Sequence, residues 1–591
     1  MLVLSKDKQR ILNEKGHMLI MGGPGSGKTT IALLKARDIV RSGVLKNEQS
    51  VLFLSFARST VARVEQCSQV VVEKNERKRI EITTYHSFIW SILRSHGYLL
   101  NVPKPEILLP HEAAVALSKC KCACEREIER QRIFTQEGKI HFDLFAEKCY
   151  ELLSRSKVLL KIISEAYPFI ILDEFQDTSL DEWNVIRLFS KRSAIIALAD
   201  PDQRIYDFRG ADPARIKQYI DYLSPKEFDF GVENYRSNGT DIVEFGNDLL
   251  AGRNSNKEYE DVNVCTYEMR RNNMHLLHVK LFLLKRIKKL SKKHPKDWSI
   301  AVLVPSNRLM LNLSAVIGET QKLANGKIIP SIEHEVAVEM AGPALAAIFI
   351  AHLLEFGSQK ECHFSNVTVS LCEHILGRRG ENAPNKLDSE LASALLNYID
   401  SQDYSKPIRG PVRQKIIKEC EEITVAANAL ILSGDVVKDW ISIRNILAEK
   451  TTSNINQLYS DSFFIKLLRK GALLNSSLDQ IWRAQGNYSG ATEAVKGALR
   501  QEHFASSLKV WRGVNVMTIH KAKGKEFDEV LILEGAYPGE RYIYSGGDYE
   551  KESNKARLNL RVAVTRAREK AYLLTPKSDP CPLLVNTRGN T

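Results

Sequence analysis

His17-Met18-Leu19-Ile20-Met21-Gly22-Gly23-Pro24-Gly25-Ser26-Gly27-Lys28-Thr29 is the stretch on which the fold turns. An apolar run of strand length, His17 to Met21, leads into a glycine-rich turn, and a helix-period segment follows. From Gly22 to Thr29 the spacing is G-x-x-x-x-G-K-[ST], in the strand-to-helix context that gives the pattern its meaning. Gly22, Gly23, Pro24, Gly25, Ser26 and Gly27 can bring backbone N–H groups around phosphate oxygens, because glycine permits the close approach that wrapping needs. Lys28 can then reach the β- and γ-phosphates, and the Thr29 hydroxyl can hold Mg²⁺.

Phe169-Ile170-Ile171-Leu172 is a second run of buried-strand character, and it ends in Asp173-Glu174. In a parallel α/β sheet ligands bind at the carboxyl ends of the strands, which puts both carboxylates near the phosphate loop. Asp173 is expected to complete the Mg²⁺ shell, and Glu174 to orient or deprotonate the water that attacks the γ-phosphate. An acidic pair after an apolar run is usually a plain strand end. Joined to the phosphate loop, it predicts a nucleoside-triphosphate hydrolase.

Short apolar runs alternate with helix-period segments as far as about Ser224, at Val51 to Phe56 and Ala194 to Ala199 among others. The alternation returns at Val262 to Tyr267, Ser299 to Val304, Val514 to His520, Val530 to Leu533 and Ala571 to Leu574. It predicts an α/β protein with two doubly wound parallel-sheet cores. Two strand-poor, helix-rich stretches interrupt them. The expected division is a first core over 1–100 and 164–224 with a helical insertion over 101–163, then a second core over 225–354 and 508–591 with a helical insertion over 355–507. A hinge is expected near Tyr222 to Glu233, where Ser224-Pro225 breaks a helix.

A length of 591 residues suits several cores of ~100–200 residues each. Hydrophobic residues at 44% and charged residues at 26% exclude a disordered, fibrous or disulfide-stapled chain. A net charge of +13 favours a polyanionic partner, since clustered Lys and Arg release counterions on binding phosphates. The densest basic run, Lys280 to Lys296, reads first as a solvated helix face and second as a DNA track. Met1 to Ser5 lacks a secretory pattern, and no apolar run approaches the ~18 residues that span a bilayer, the longest being Ala341 to Leu354. A cytoplasmic protein with no membrane insertion is expected. Cys120, Cys122 and Cys124, with Cys149, do not read as iron–sulfur ligands, since alternate spacing in a helical segment makes Cys120 and Cys124 packing positions and points Cys122 away from them, and Cys362, His363, Cys372 and His374 match no zinc frame.

Asp173-Glu174-Phe175-Gln176-Asp177-Thr178 resembles the DExQDT box of the UvrD, Rep and PcrA helicases of superfamily 1, and companion segments follow in the family's order across both cores. The resemblance implies two RecA-like cores that close around ATP and Mg²⁺, and movement 3' to 5' on single-stranded DNA with tailed duplexes as substrates. By the same resemblance Gln9 reads adenine. Leu54-Ser55-Phe56-Ala57-Arg58 and Thr84-Tyr85-His86-Ser87-Phe88 are similar to segments that touch the DNA strand, although Phe56, Tyr85 and His86 could equally be packing residues. Asp200-Pro201-Asp202-Gln203-Arg204-Ile205-Tyr206-Asp207-Phe208-Arg209-Gly210-Ala211 is similar to the family's GDxxQSIYxFRGA segment. That likeness implies that Gln203 senses the γ-phosphate, Phe208 stacks on a base and Arg209 couples the two sites.

Asn234-Tyr235-Arg236-Ser237 resembles the NYRS motif, with Tyr235 on adenine and Arg236 reaching the γ-phosphate from the second core. Val564-Thr565-Arg566-Ala567-Arg568 resembles the VTRA box, with Arg566 as a second arginine finger. The segment from Val516 to Phe527 is nearly TxHxxKGLEF, which implies that Thr518 and His520 meet the DNA backbone. Several positions depart from the pattern: Thr30 in the phosphate-loop helix where close relatives carry Arg, Ala199 for Gly, Arg204 for Ser, Lys525 for Leu and Arg561 for Tyr. They suggest a distant branch. Two other readings stand beside the motor. One is a DNA-stimulated regulatory ATPase that works with a separate nuclease subunit, as UvrD-like subunits of Gabija-type anti-phage systems do, since no nuclease motif is visible from Thr575 to Thr591. The other is an RNA motor, because stacking platforms accept either polymer.

Overall fold

The computed structural model describes residues 6–23, 25–56, 58–120, 122–200, 214–231, 239–268, 274–295, 297–322, 326, 328–337, 341–380, 384–464, 473–505, 511–535, 537, 539–543 and 549–584. Strands β1 (Met18–Met21), β2 (Val51–Ser55), β3 (Ile80–Thr84), β4 (Phe169–Leu172), β5 (Ala194–Ala199) and β6 (Lys226–Asp229) form one sheet in the order β3-β2-β4-β5-β1-β6, parallel throughout. Strands β7 (Val262–Tyr267), β8 (Ser299–Val304), β9 (His334–Val336), β10 (Gly513–Thr518), β11 (Phe527–Leu533) and β12 (Ala567–Pro576) form a second parallel sheet in the order β9-β10-β8-β11-β12-β7. Every residue of β2 and of β11 is buried, as expected of parallel strands covered on both faces. The chain is α/β with two RecA-like, doubly wound cores.

Two edge strands have no apolar run to announce them. Lys226-Glu227-Phe228-Asp229 and His334-Glu335-Val336 are mostly polar, and an edge strand needs only one neighbour while its polar side chains discourage further pairing. The first of them corrects the expected hinge. Helix Arg215–Leu223 does end at Ser224, in a left-handed conformation with φ 43°, but the chain beyond Pro225 pairs with β1 and still belongs to the first sheet.

Both sheets fall in one compact unit, Met1–Leu93, Ala146–Ala337 and Ser507–Thr591, while Arg94–Phe145 and Val338–Ser506 make up a second. Helix Ala341–Gln359 runs through the second unit with helices Phe364–Gly377, Pro411–Ala429, Val436–Ala448, Ser453–Asp461 and Ala491–Ala505 packed on it. Helix Pro110–Ala116, from the earlier insertion, packs on Ala341–Gln359 and Phe364–Gly377, so the two insertions form one unit. Helix Ala341–Gln359 also corrects the expectation of short apolar runs. It has 19 residues and a mean hydropathy of 1.4, enough by length and composition to cross a bilayer, yet 78% of its apolar window is buried inside the protein. A helix apolar on all sides is accounted for here by neighbours on all sides.

The basic run lies on helix Met274–Lys293, with Lys285, Lys288, Lys289 and Lys292 exposed. Lys280 is instead buried and donates to the carbonyl of Val316 and the side chain of Gln321, and Arg286 pairs with Glu529. The cysteine triplet does not share one helix, because helix Ala123–Glu137 starts only after Cys122, whose Sγ caps it by accepting from the Glu125 N–H at 3.3 Å. His374 is buried against Asp461 at 2.8 Å, whereas His363 caps helix Phe364–Gly377.

Candidate active site

The glycine-rich loop joins β1 to helix Lys28–Arg41. The Gly22 N–H donates to the Ala199 carbonyl at 3.3 Å and the Gly23 N–H to the Gly231 carbonyl at 3.4 Å, which ties the loop to the ends of both neighbouring strands. Gly22 has no room for a side chain, since a Cβ there would lie 2.8 Å from Ser26 Oγ and 3.0 Å from Phe230 Cβ. Gly27, directly before the helix, has φ 88°, a left-handed conformation that glycine adopts without steric cost. Lys28 Nζ donates to the Gly22 and Gly23 carbonyls at 2.5 and 3.0 Å. Ser26 Oγ is buried with no hydrogen-bond partner among the described residues. An ammonium folded onto its own loop and an orphaned hydroxyl beside it suit a phosphate group, which would satisfy both.

β4 delivers Asp173 and Glu174 to the same end of the sheet, and the Asp173 N–H donates to the Leu54 carbonyl at 2.8 Å. Asp173 is only 4% exposed. Burial and then the adjacent Glu174 carboxylate push its carboxyl above the usual range, against the pull of Arg63 and Lys28. Burial acts in the same direction on Glu174, but Lys523, Lys28, the Gln176 amide and Arg566 outweigh it and hold that carboxyl below its ordinary value. Glu174 stands in left-handed backbone at φ 54°, an uncommon conformation for a residue with a side chain and one that clusters at functional sites. Gln176 fixes it: Nε2 donates to Glu174 Oε2 at 2.6 Å, while Oε1 accepts from the Asp200 N–H at 3.0 Å. Two carboxylates crowded at a buried strand end near the Thr29 hydroxyl form a hard oxygen donor set, and these residues fit Mg²⁺ carried with a nucleotide.

Side chains of the second core reach this place. Arg566 is 2% exposed, its Nε donates to the Val562 carbonyl at 2.9 Å, and its charge is felt at Glu174. Lys523 forms an ion pair with Asp177 in which the two side chains are 4% and 0% exposed. Arg561 lies 3.8 Å from Asp200, both nearly inaccessible.

The residues expected at DNA divide. Phe56, just after β2, and His86, in the first turn of helix Tyr85–His96, are half-buried at the carboxyl edge of the first sheet. Of the two readings left open for Tyr85, its 2% exposure favours packing. Thr518 closes β10 and His520 sits in the helical turn Ile519–Ala522, both half-buried. Burial, then Lys555 and Lys523, keep the His520 imidazole below its ordinary value. Gln9 is exposed on helix Lys6–Asn13, and Thr30 Oγ1 lies 3.7 Å from Cys67 Sγ. Pro24, Gln203, Phe208, Arg209, Tyr235 and Arg236 lie outside the described residues.

The family model for the UvrD/REP helicase N-terminal domain matches residues 4–132 and 126–223, and the one for the UvrD-like helicase C-terminal domain matches residues 412–578. Together they take in more than half of the chain. The chain belongs to the UvrD-like helicases. This helicase is 22% identical over 647 residues to the ATP-dependent DNA helicase PcrA of Staphylococcus aureus, an alignment covering 96% of this chain and 82% of that protein. It is likewise 22% identical over 643 residues to PcrA of Staphylococcus epidermidis, with the same coverage of 96% and 82%. Pif1 helicase from Candida albicans, a solved structure, overlaps 49% of this chain at 12% identity with a TM-score of 0.25, too low to bear on the fold.

Gln176, Asp177 and Lys523 of this helicase were not singled out by sequence reasoning, although all three lie inside segments that match the family. Gln176 bonds a residue only two positions away, but the Lys523–Asp177 pair gave no local signal, since the two are 346 positions apart. The pair yields a stability prediction. Asp177→Asn removes the carboxylate of a buried ion pair, and breaking such a pair costs up to about 3–5 kcal/mol, less here to the extent that the nearby Glu174 carboxylate still faces the ammonium. The expected result is a clear fall in the chemical-denaturation midpoint of the unit that holds the two sheets, and an unchanged midpoint would mean that Lys523 finds another partner.

Proposed function

We propose that this helicase is an ATP-driven motor that moves 3' to 5' along single-stranded DNA in the cytoplasm and opens tailed duplexes, hydrolysing ATP with Mg²⁺ between its two cores. The observation that carries this reading is the meeting of the two cores beside the strand end that bears Asp173 and Glu174: Lys523 of the second core pairs with Asp177 of the first, the side chains 4% and 0% exposed, and Arg561 lies 3.8 Å from Asp200. A carboxylate pair flanked by side chains of both cores is suited to a reaction that proceeds when they close.

In this reading the phosphate loop from Gly22 to Gly27 and Lys28 hold the phosphates, Thr29 and Asp173 would hold Mg²⁺, and Glu174 takes a proton from the attacking water. Gln9, Thr30 and Tyr235 line the rest of the nucleotide, with Gln203 at the γ-phosphate and Arg236 and Arg566 neutralising the charge that develops there. When bound, ATP would supply the phosphoanhydride whose cleavage drives the cycle, and Mg²⁺ would neutralise charge on its phosphates. Phe56, His86, Phe208, Arg209, Thr518 and His520 grip the strand. Stacking contributes ~1–3 kcal/mol per base without reading sequence, which lets a motor step along any strand.

Streptavidin displacement from end-biotinylated single strands tests the movement. Wild type is expected to release streptavidin faster from the 5' end, and Phe208→Ala to keep ATP binding and some DNA-stimulated hydrolysis while losing most of the release. Faster release from the 3' end would reverse the polarity. Intact DNA-stimulated hydrolysis with no release from either end would replace the motor by a regulatory ATPase that depends on a partner such as a separate nuclease.

A further inference from the structure

Arg63 lies on helix Arg58–Val71, which follows β2, and its guanidinium is shared between two distant pieces of chain. One terminal nitrogen donates to Glu526 Oε1 at 2.9 Å and the other to Thr29 Oγ1 at 3.4 Å. Thr29 opens the phosphate-loop helix. Glu526 belongs to the second core, between the turn that carries His520 and the start of β11. Glu526 is also 3.6 Å from Arg568. Burial would lower the Arg63 pKa, but Glu526, Asp173 and Glu174 outweigh it and secure the charge. The neighbouring Thr30 turns away from this fork, its Oγ1 lying 3.7 Å from Cys67 Sγ.

The two ends of this fork differ in strength. A contact of 2.9 Å to a carboxylate is a charge-assisted hydrogen bond, whereas 3.4 Å to a neutral hydroxyl is at the weak limit. A phosphate arriving at Thr29 offers the loosely held nitrogen a charged acceptor, while the planar guanidinium can keep Glu526 on its other side. We propose that Arg63 is a positioning residue that couples the nucleotide site to the strand grip, exchanging Thr29 for nucleotide phosphate while it holds Glu526 and, through the short segment behind it, His520 and Thr518. The inference rests on the motor reading of the same site. It adds a specific route between the two ligands, from the phosphate-binding threonine through one arginine to the second core.

The test measures linkage rather than turnover. Affinity for a fluorescent oligothymidylate is determined by anisotropy with and without Mg²⁺ and AMP-PNP, for wild type, Arg63→Ala, Arg63→Lys, Glu526→Gln and the Arg63→Ala/Glu526→Gln double variant, each checked for a cooperative melt. Wild type is expected to show a nucleotide-dependent change in DNA affinity of roughly 5- to 150-fold, and Arg63→Ala to reduce that ratio to within about twofold of unity. Glu526→Gln should do the same and the double variant no more, because the two residues act as one unit. Arg63→Lys should also lose the linkage, since a single ammonium cannot span both partners. A wild-type ratio retained in Arg63→Ala, or losses that add in the double variant, would overturn the inference and leave the motor reading standing. Absence of linkage in wild type would overturn both.

Discussion

Glu174→Gln is expected to slow ATP turnover by roughly 10²- to 10⁴-fold, the usual contribution of a positioned general base, while leaving binding of Mg²⁺ and ATP in place. The substitution keeps the shape of the side chain and an oxygen that can still accept from Gln176, which donates to Glu174 at 2.6 Å. It removes the capacity to take a proton. The backbone strain at φ 54° is untouched, so the amide should occupy the same position as the carboxylate. Steady-state hydrolysis in the presence of single-stranded DNA gives the rate, and titration with a fluorescent ATP analogue gives the affinity. Turnover near the wild-type rate would take the general-base role away from Glu174, and loss of binding would make it a ligand instead.

Arg566→Ala is expected to have the larger effect, about 10³- to 10⁵-fold on turnover, which is the range for arginine fingers in other phosphoryl-transfer enzymes. The change should fall on the rate at saturating ATP far more than on affinity. Arg566 is buried at 2% exposure and already hydrogen-bonded to the Val562 carbonyl, so its geometry is set before nucleotide arrives and little reorganisation is left for the reaction itself. Arg566→Lys separates charge from geometry: it keeps a cation near Glu174 but loses the fork, and an intermediate rate is expected. Wild-type turnover in Arg566→Ala at saturating ATP, with DNA present, would remove this arginine from the reaction.

The parts of the site that were legible in the sequence are those whose chemistry is local. The phosphate loop shows itself through glycines at fixed intervals before a Lys-Thr pair, and Asp173-Glu174 through the apolar strand before them, because backbone wrapping and strand burial both leave a short-range imprint. The parallel cores showed in the same way, as all-apolar runs such as Ala194 to Ala199. The edge strands Lys226–Asp229 and His334–Val336 did not, since half of an edge is solvent and the apolar pattern fades. Side-chain partnership carries no period at all. Nothing near Lys523 in the sequence points to Asp177, and nothing near Arg63 points to Glu526. Tyr85 shows the converse failure: an aromatic in a nucleic-acid segment and an aromatic in a core read alike until burial separates them.

The interleaved order of the two units sets a timetable for making the protein. The first sheet has all its strands once Asp229 has emerged, well before the helical unit can be finished. Helix Pro110–Ala116 must wait for Ala341–Gln359 and Phe364–Gly377, the surfaces it packs against. At a synthesis rate of roughly 5–20 residues per second that wait is on the order of ten to fifty seconds. Throughout it the helix that carries Ala113, though already beside Leu108 and Ile133 of its own insertion, lacks the two later helices it packs against. The nascent chain therefore carries a finished nucleotide-binding sheet and an unfinished helical half on the ribosome together, and the interval before residue 377 is when it most needs shielding from other chains.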